Sequence, residues 1–429
     1  MRRRPITRRV AAAIFGGAWS LLQAGTSAGQ LTLPDAQITL PAGGLTPAVD
    51  ASLPVVGLRV DARRLRLDAL LAGHRAELER DPRGELIVRA EILAFGPTAD
   101  ALQRAQAAGF VVLRQRVLDG LDATLVVLQP PSGLSMRRAL QQLRELDPAG
   151  SYDFNHIYVE SGEAVAAAGA GPGAHEAAST QGHPAAIRVG LIDGGVVDTH
   201  PAFTAAKVEP HGCEGVAVPT LHGTAVASLL LETIRKAPAA QQRDVQLFAA
   251  DVYCDAATGG AVDAVVDALA WMSAQHVPVV NVSLVGPSNV LLERAITLVT
   301  ARGLTVVAAV GNDGPAAAPL YPAAYADVVA VTAVDRQHKV LVEACRGPFV
   351  DFAATGADVS AAAPPDGVAP VRGTSFAAPV VAGLLAVRLD RPDRASAGDA
   401  VRALAQTAVD LGARGPDPVY GQGLVGAVP

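Results

Sequence analysis

Arg188-Val189-Gly190-Leu191-Ile192-Asp193-Gly194-Gly195 is the stretch on which the fold turns. An apolar run without polar alternation ends on a carboxylate and a Gly-Gly pair, which reads as a strand buried on both faces and stopped by a turn. Runs of the same kind recur at residues 246–252, 279–284, 305–310 and 328–333, with amphipathic helical patterns at 262–275 and 290–302 between them. Strands apolar on both faces that alternate with helices imply a mainly parallel sheet covered on both sides, a three-layer α/β/α domain over residues 187–429. The apolar helix positions Val265, Leu269 and Met272 read as core.

Two further segments share the habit of setting a reactive side chain beside glycine at the edge of an apolar element. They are Leu221-His222-Gly223-Thr224-Ala225-Val226-Ala227 and Gly373-Thr374-Ser375-Phe376-Ala377-Ala378-Pro379. Amide hydrolysis needs a nucleophile, a base that takes and returns its proton, and a carboxylate that orients the base. Asp193 at a strand's carboxyl end, with His222 and Ser375 each opening a helix, can converge above one end of the sheet. Singly, Asp-Gly-Gly is a turn, His-Gly a helix start and Gly-Thr-Ser a cap. Together, and in this order, they point to catalysis.

These motifs resemble those of the subtilisin-like serine peptidases, the subtilases. Val310-Gly311-Asn312-Asp313-Gly314 resembles the family's oxyanion segment and Tyr420-Gly421-Gln422-Gly423 its closing turn, so the resemblance runs from about residue 187 to the C-terminus. It implies a subtilisin-like domain in which Ser375 forms the acyl-enzyme, His222 is general base and acid, and Asp193 orients it. Asn312 and the Ser375 N–H would bind the oxyanion, and one such donor is worth about 2.7–4 kcal/mol of barrier. Protein or peptide substrates are implied, with no cofactor, and the family's calcium-binding loops are not recognisable. Ser283, Leu284, Val285, Gly311 and Leu320 would line the substrate site. Val285 stands where many members have glycine, and Leu320 adds bulk to the pocket floor, so a shallow apolar pocket for small residues is expected. Ala225 and Ser228 replace the usual His and Gly behind the catalytic helix, while His200 and Asn281 read as structural supports. An α/β-hydrolase esterase is disfavoured, since the segment lacks the second glycine of GxSxG. A catalytically inactive subtilase-fold binding or chaperone-like protein is the remaining alternative.

Upstream, residues 85–160 carry strand-like runs Leu86-Ile87-Val88, Phe110–Leu113, Thr124–Leu128 and Ile157-Tyr158-Val159. Helical patterns at 98–108 and 135–146, with Thr98 and Ser135 placed to cap, complete a βαββαβ, ferredoxin-like α+β order. Its position resembles that of a subtilase propeptide, a prodomain that covers the cleft and assists folding; the alternative is a permanent accessory domain. Residues 29–84 form an N-terminal extension with an amphipathic helix at 65–80 carrying Leu67, Leu70, Leu71 and Leu78. Residues 161–186 form a low-complexity linker of small residues, where self-cleavage is expected. Residues 1–28 carry five early arginines, an apolar run from Val10 to Leu22 and Thr26-Ser27-Ala28, which reads as a signal peptide. Export to the periplasm or cell exterior follows, with no membrane contact after its removal; an uncleaved anchor is the alternative.

The 429 residues are half apolar, enough for a sizeable core, and the net charge of −6 gives no field to attract nucleic acid. Of three cysteines, Cys213 and Cys254 are the preferred disulfide pair and Cys345 is left over; three buried thiols are the alternative. No CxxC or HxxxH spacing suggests zinc; no metal ligand is identifiable from the sequence, and calcium stays open as the alternative.

Overall fold

Residues 86–95 show how the N-terminal region is built. Ile87, Ile92 and Ala94 face one way, Leu86, Val88, Leu93 and Phe95 the other, and all are buried. A register shift between Ile87 and Ile92, with Ala90 at φ 57°, inserts the residue that keeps both isoleucines on one face. A strand buried on both faces needs two covers, and the structure, a computed structural model, supplies them. It describes residues 62–164, 186–216 and 218–426; the expected signal peptide, the lead-in up to residue 61 and linker residues 165–185 lie outside the described residues.

The elements run α1 (Ala62–Gly73), β1 (Leu78–Arg80), β2 (Leu86–Phe95), α2 (Ala99–Ala107), β3 (Val111–Leu118), β4 (Ala123–Gln129), α3 (Met136–Leu146) and β5 (Ser151–His156). The pairing is antiparallel, with β2 between β5 and β4, β3 beyond β4, and β1 on the start of β2. Ala105 of α2 and Ala139, Leu140 and Leu143 of α3 cover the Ile87–Ile92–Ala94 face. Thr98 caps α2 by accepting from the Ala101 N–H, whereas Ser135 makes no side-chain cap bond.

Two expectations here need correction. The helix expected at 65–80 stops at Gly73, and Leu78 is buried because it pairs with Val88 in the sheet. The closing strand is Ser151–His156, not Ile157-Tyr158-Val159. Its alternate residues, Asp153 and Asn155, are polar, which hid the apolar face of Tyr152 and Phe154. Both are buried because they cap helices further along the chain: Asp153 Oδ2 accepts from the Val290 N–H at 2.9 Å, and Asn155 Oδ1 from the Asp263 N–H at 3.2 Å.

Beyond β6 (Val159–Glu160) and β7 (Glu163–Ala164), a parallel sheet contains β8 (Ile187–Asp193), β9 (Ala206–His211), β10 (Val245–Asp251), β11 (Val279–Val282), β13 (Thr305–Ala309), β14 (Val328–Val334) and β15 (Phe352–Thr355), in the order β15-β14-β13-β11-β8-β10-β9. A two-residue strand β12 (Leu284–Val285) follows β11, and β16 (Val359–Ala363) with β17 (Gly367–Arg372) forms a hairpin. The edge strand β9 and this hairpin were not expected from the sequence. Helices α4 (Leu221–Lys236) and α7 (Ala378–Ala386) cover one face of the sheet, and α5 (Val262–Ala274) and α6 (Val290–Ala301) the other. A last helix, α8 (Arg394–Ala405), packs on α7. The free face of the N-terminal sheet joins α5 and α6 in one apolar core, where Leu93, Phe95 and Leu125 cluster with Val262, Val265 and Leu291. No described helix is long and apolar enough to cross a membrane.

Candidate active site

Asp193 is the last residue of β8 and fully buried; its Oδ1 accepts from the Gly194 N–H at 2.7 Å and lies 2.8 Å from His222 Nδ1. His222 is the second residue of α4, a start fixed by Thr220, whose hydroxyl accepts from the Gly223 N–H at 2.9 Å. Strand end and helix start approach so closely that a Cβ on Gly223 would lie 2.2 Å from the Gly194 carbonyl oxygen. Ser375 sits in the turn Thr374–Phe376 ahead of α7. Asn281 Nδ2 donates to Ser283 Oγ, which in turn donates to the Ser375 carbonyl, so both polar groups brace this turn. The structure therefore joins Asp193 to His222. The Ser375 hydroxyl, however, faces carbonyl oxygens of Ser161 and Ser283, and His222 Nε2 has no hydrogen-bond partner.

The reason lies in residues 158–164, which cross the sheet end as an added strand. Glu160 and Val159 pair antiparallel with Leu284 and Val285. The Ser161 N–H donates to the Ser283 carbonyl at 3.2 Å, and the Tyr158 N–H to that of Gly260 at 2.8 Å. On the far side Glu163 and Ala164 pair with Arg372 and Val371 of β17. Between them, the Ser161 carbonyl accepts from the Ser375 N–H at 3.0 Å and from the Ser375 hydroxyl. Asn312 comes to the same residue by another atom: its Nδ2 donates to Ser161 Oγ at 3.1 Å, and its Oδ1 accepts from the Thr374 N–H. The Thr374 hydroxyl accepts from the Gly311 N–H, tying the two segments together.

Val285, Asn312 and Asp313 line a cavity of ≈ 80 Å³ beside Ser161. Leu320 closes in behind Gly311, where a Cβ would lie 2.5 Å from its Cδ1. Tyr158 is fully buried, its ring over Gly286, where any Cβ would strike it at 2.7 Å, and its hydroxyl donates to the Pro287 carbonyl. Sequence reasoning named Ser283, Leu284, Val285, Gly311 and Leu320 but missed Tyr158, Glu160, Gly162 and Thr374. The signal in the sequence is the strand-like run at 157–159, which reads as the closing strand of the small sheet and which the structure leaves outside it.

One carboxylate of the crossing segment changes the electrostatics. The acidic and imidazole ligand atoms of Glu160, Asp193 and His222 all lie within 4.8 Å of one another. Burial opposes charge on His222, but Asp193 and Glu160 outweigh it and hold the imidazole pKa above its ordinary value. Burial, with Asp193 adding, raises the Glu160 pKa, against His222 and Arg66. From α1, Arg66 donates to the Glu160 carbonyl at 3.0 Å, and Arg63 pairs with Glu85 at 3.0 Å and Asp313 at 3.6 Å. Ser228 Oγ, on α4, accepts from the Ala362 N–H and so supports the hairpin. His200 Nε2 meets the Gly367 carbonyl at 2.9 Å. Cys213 and Cys254 are joined with Cα atoms 5.4 Å apart; Cys345 is a buried free thiol whose pKa burial pushes up to about 12.

The buried Asp–His pair and the serine at a helix start are the parts of a serine hydrolase, and the family to which the chain belongs makes that hydrolase a serine peptidase. The family model for the Subtilase family matches residues 185–423, and the chain belongs to that family. Subtilisin BL from Lederbergia lenta is 33% identical over 254 residues, covering 56% of this chain and 89% of that protein. Subtilisin DY from Bacillus licheniformis is 31% identical over 265 residues, covering 57% and 91%. Among solved structures, fervidolysin from Fervidobacterium pennivorans, described as a keratinolytic enzyme related to subtilisin, superimposes with a TM-score of 0.63 at 19% identity. That match covers 81% of this chain and 61% of fervidolysin, and it concerns the fold alone.

Proposed function

We propose that the protein is an exported serine endopeptidase, directed by residues 1–28, that is made as a precursor and cuts itself between Ser161 and Gly162. The supporting observation is the Ser161 carbonyl, held against both the N–H and the hydroxyl of Ser375 on a segment paired to both rims of the cleft. In the reaction Ser375 Oγ bonds to the Ser161 carbonyl carbon while its proton passes to His222 Nε2, which has no competing partner. Asp193 holds Nδ1 and stabilises the imidazolium. The oxyanion takes the Ser375 N–H and the Asn312 amide, once that amide turns from the Ser161 hydroxyl. His222 then protonates the Gly162 nitrogen as the C–N bond breaks, and water, deprotonated by His222, releases Ser161 as a carboxylate. No cofactor enters these steps. Residues up to Ser161 then act as prodomain, an intramolecular inhibitor of the domain they fold against.

Other substrates are proteins or peptides with a small residue at the place of Ser161, a reading supported by Val285 lining the cavity beside it and by Leu320 closing in behind Gly311. Intact-mass analysis of the purified protein, with a fluorophosphonate probe, tests the proposal. A chain beginning at Gly162 and labelled at Ser375 is expected. An uncut, unlabelled, folded protein would instead favour a binding role.

A further inference from the structure

We infer, on the reading of Ser161–Gly162 as the bond cut, that Phe376 is a specificity-determining residue: it closes the cleft to any side chain on the residue after that bond, so that preferred substrates carry glycine there.

A Cβ built on Gly162 would lie 2.7 Å from Phe376 Cε2, 3.4 Å from Cδ2 and 3.3 Å from Ser375 Cβ. Non-bonded carbons settle at about 3.5–4.0 Å, so the first contact is repulsive. The backbone at Gly162 does not itself demand glycine, because its φ lies outside the left-handed range. The demand is spatial. Retreat is limited too, since Gly162 Cα comes so near Gly373 that a Cβ on Gly373 would lie 2.7 Å from it. Gly162 is thus clamped between the Gly373 backbone and the Phe376 ring.

Yielding on either side damages the chemistry. Phe376 is fully buried and packs on the His222 imidazole with ring centroids 5.3 Å apart, so a ring displaced by a substrate methyl presses on the base. A segment displaced instead draws the Ser161 carbonyl away from the Ser375 N–H. One methyl in a tight site changes kcat/KM by about 10–200-fold, and the lower half of that range is expected for alanine, with leucine worse.

The test uses the self-cleaved protein, diluted until its N-terminal fragment dissociates, and three internally quenched peptides: Tyr-Val-Glu-Ser-Gly-Glu-Ala and its variants with Ala or Leu in place of the glycine. Fluorophosphonate labelling is run in parallel and needs no residue beyond the cut. The wild type should prefer the glycine peptide at least tenfold in kcat/KM, and F376A should bring the ratio toward unity whatever its absolute rate. F376L serves if F376A does not fold. In the precursor, G162A should slow self-cleavage and the G162A/F376A double variant should recover it. A purely structural role for Phe376 would lower all three peptides together, and equal cleavage of the Gly and Ala peptides by wild type would overturn the inference outright. Absence of both labelling and cleavage would instead sink the peptidase reading, and this inference with it.

Discussion

The two sides of the Ser161–Gly162 bond are held very differently. Before it, Tyr158 is fully buried, Val159 and Glu160 are paired in a sheet, Arg66 holds the Glu160 carbonyl, and the whole N-terminal sheet shares an apolar core with α5 and α6. Charged contacts add to this, with Arg114 paired to Asp263 at 2.6 Å and Arg116 to Asp267 at 2.5 Å. After the bond, two residues pair with β17. On the proposed cut, the downstream end would be free to leave while the upstream end stays held; departure of the new amine would then oppose religation, and retention of the new carboxylate end would keep the product inhibited until the fragment dissociates.

The largest test keeps the two sides in one chain. S375A should abolish self-cleavage, and removing the equivalent nucleophile costs on the order of 10⁶-fold, so intact-mass analysis should find only precursor. Breakdown of S375A at Ser161–Gly162 would mean another group does the chemistry. The next removes a buried hold close to the bond on the upstream side. Truncating a buried aromatic costs about 3–5 kcal/mol, so Y158A should weaken retention of the cut N-terminal fragment by a hundredfold or more. Gel filtration of the cleaved protein should then show two species where the wild type shows one.

How much of this was visible in the sequence follows from where the signals are local. Asp193, His222 and Ser375 stand in motifs whose glycines are fixed by close approach, as the 2.2 Å clash at Gly223 shows, so their placement could be read from short strings. The buried strands of the parallel sheet were legible from unbroken apolar runs. The strand Ser151–His156 was not, because Asp153 and Asn155 are buried to cap helices more than a hundred residues away. The crossing segment escaped for a related reason: Val159 and Glu160 pair with residues of another part of the chain, and only the fold brings Leu284 and Val285 opposite them. Gly162 looked like the start of a linker rich in small residues, whereas its lack of a side chain is a fit to Phe376.

A smaller effect should appear as pH dependence. His222 must be neutral to accept the Ser375 proton, and its pKa is raised above the ordinary 6.5, so self-cleavage should rise with pH through that higher value. The same shift stabilises the folded chain below 6.5, and this contribution fades as pH climbs through the raised pKa. Glu160 is one cause of the rise, so E160Q should move the acid limb of the rate profile to lower pH. An unmoved limb would show that the upstream side holds the segment without tuning the base.

The smallest effect expected is that of Arg66, and its sign carries the information. An exposed arginine contributes about 0.2–1 kcal/mol, so R66A should loosen fragment retention only a fewfold. Arg66 also opposes the raised pKa of His222, so its removal should push the acid limb to higher pH, opposite to E160Q. Packing changes alone would have no reason to move the two limbs in opposite directions. Rate profiles of wild type, E160Q and R66A at low salt therefore separate charge acting on His222 from simple loss of grip, and parallel shifts in the two variants would leave grip as the whole explanation.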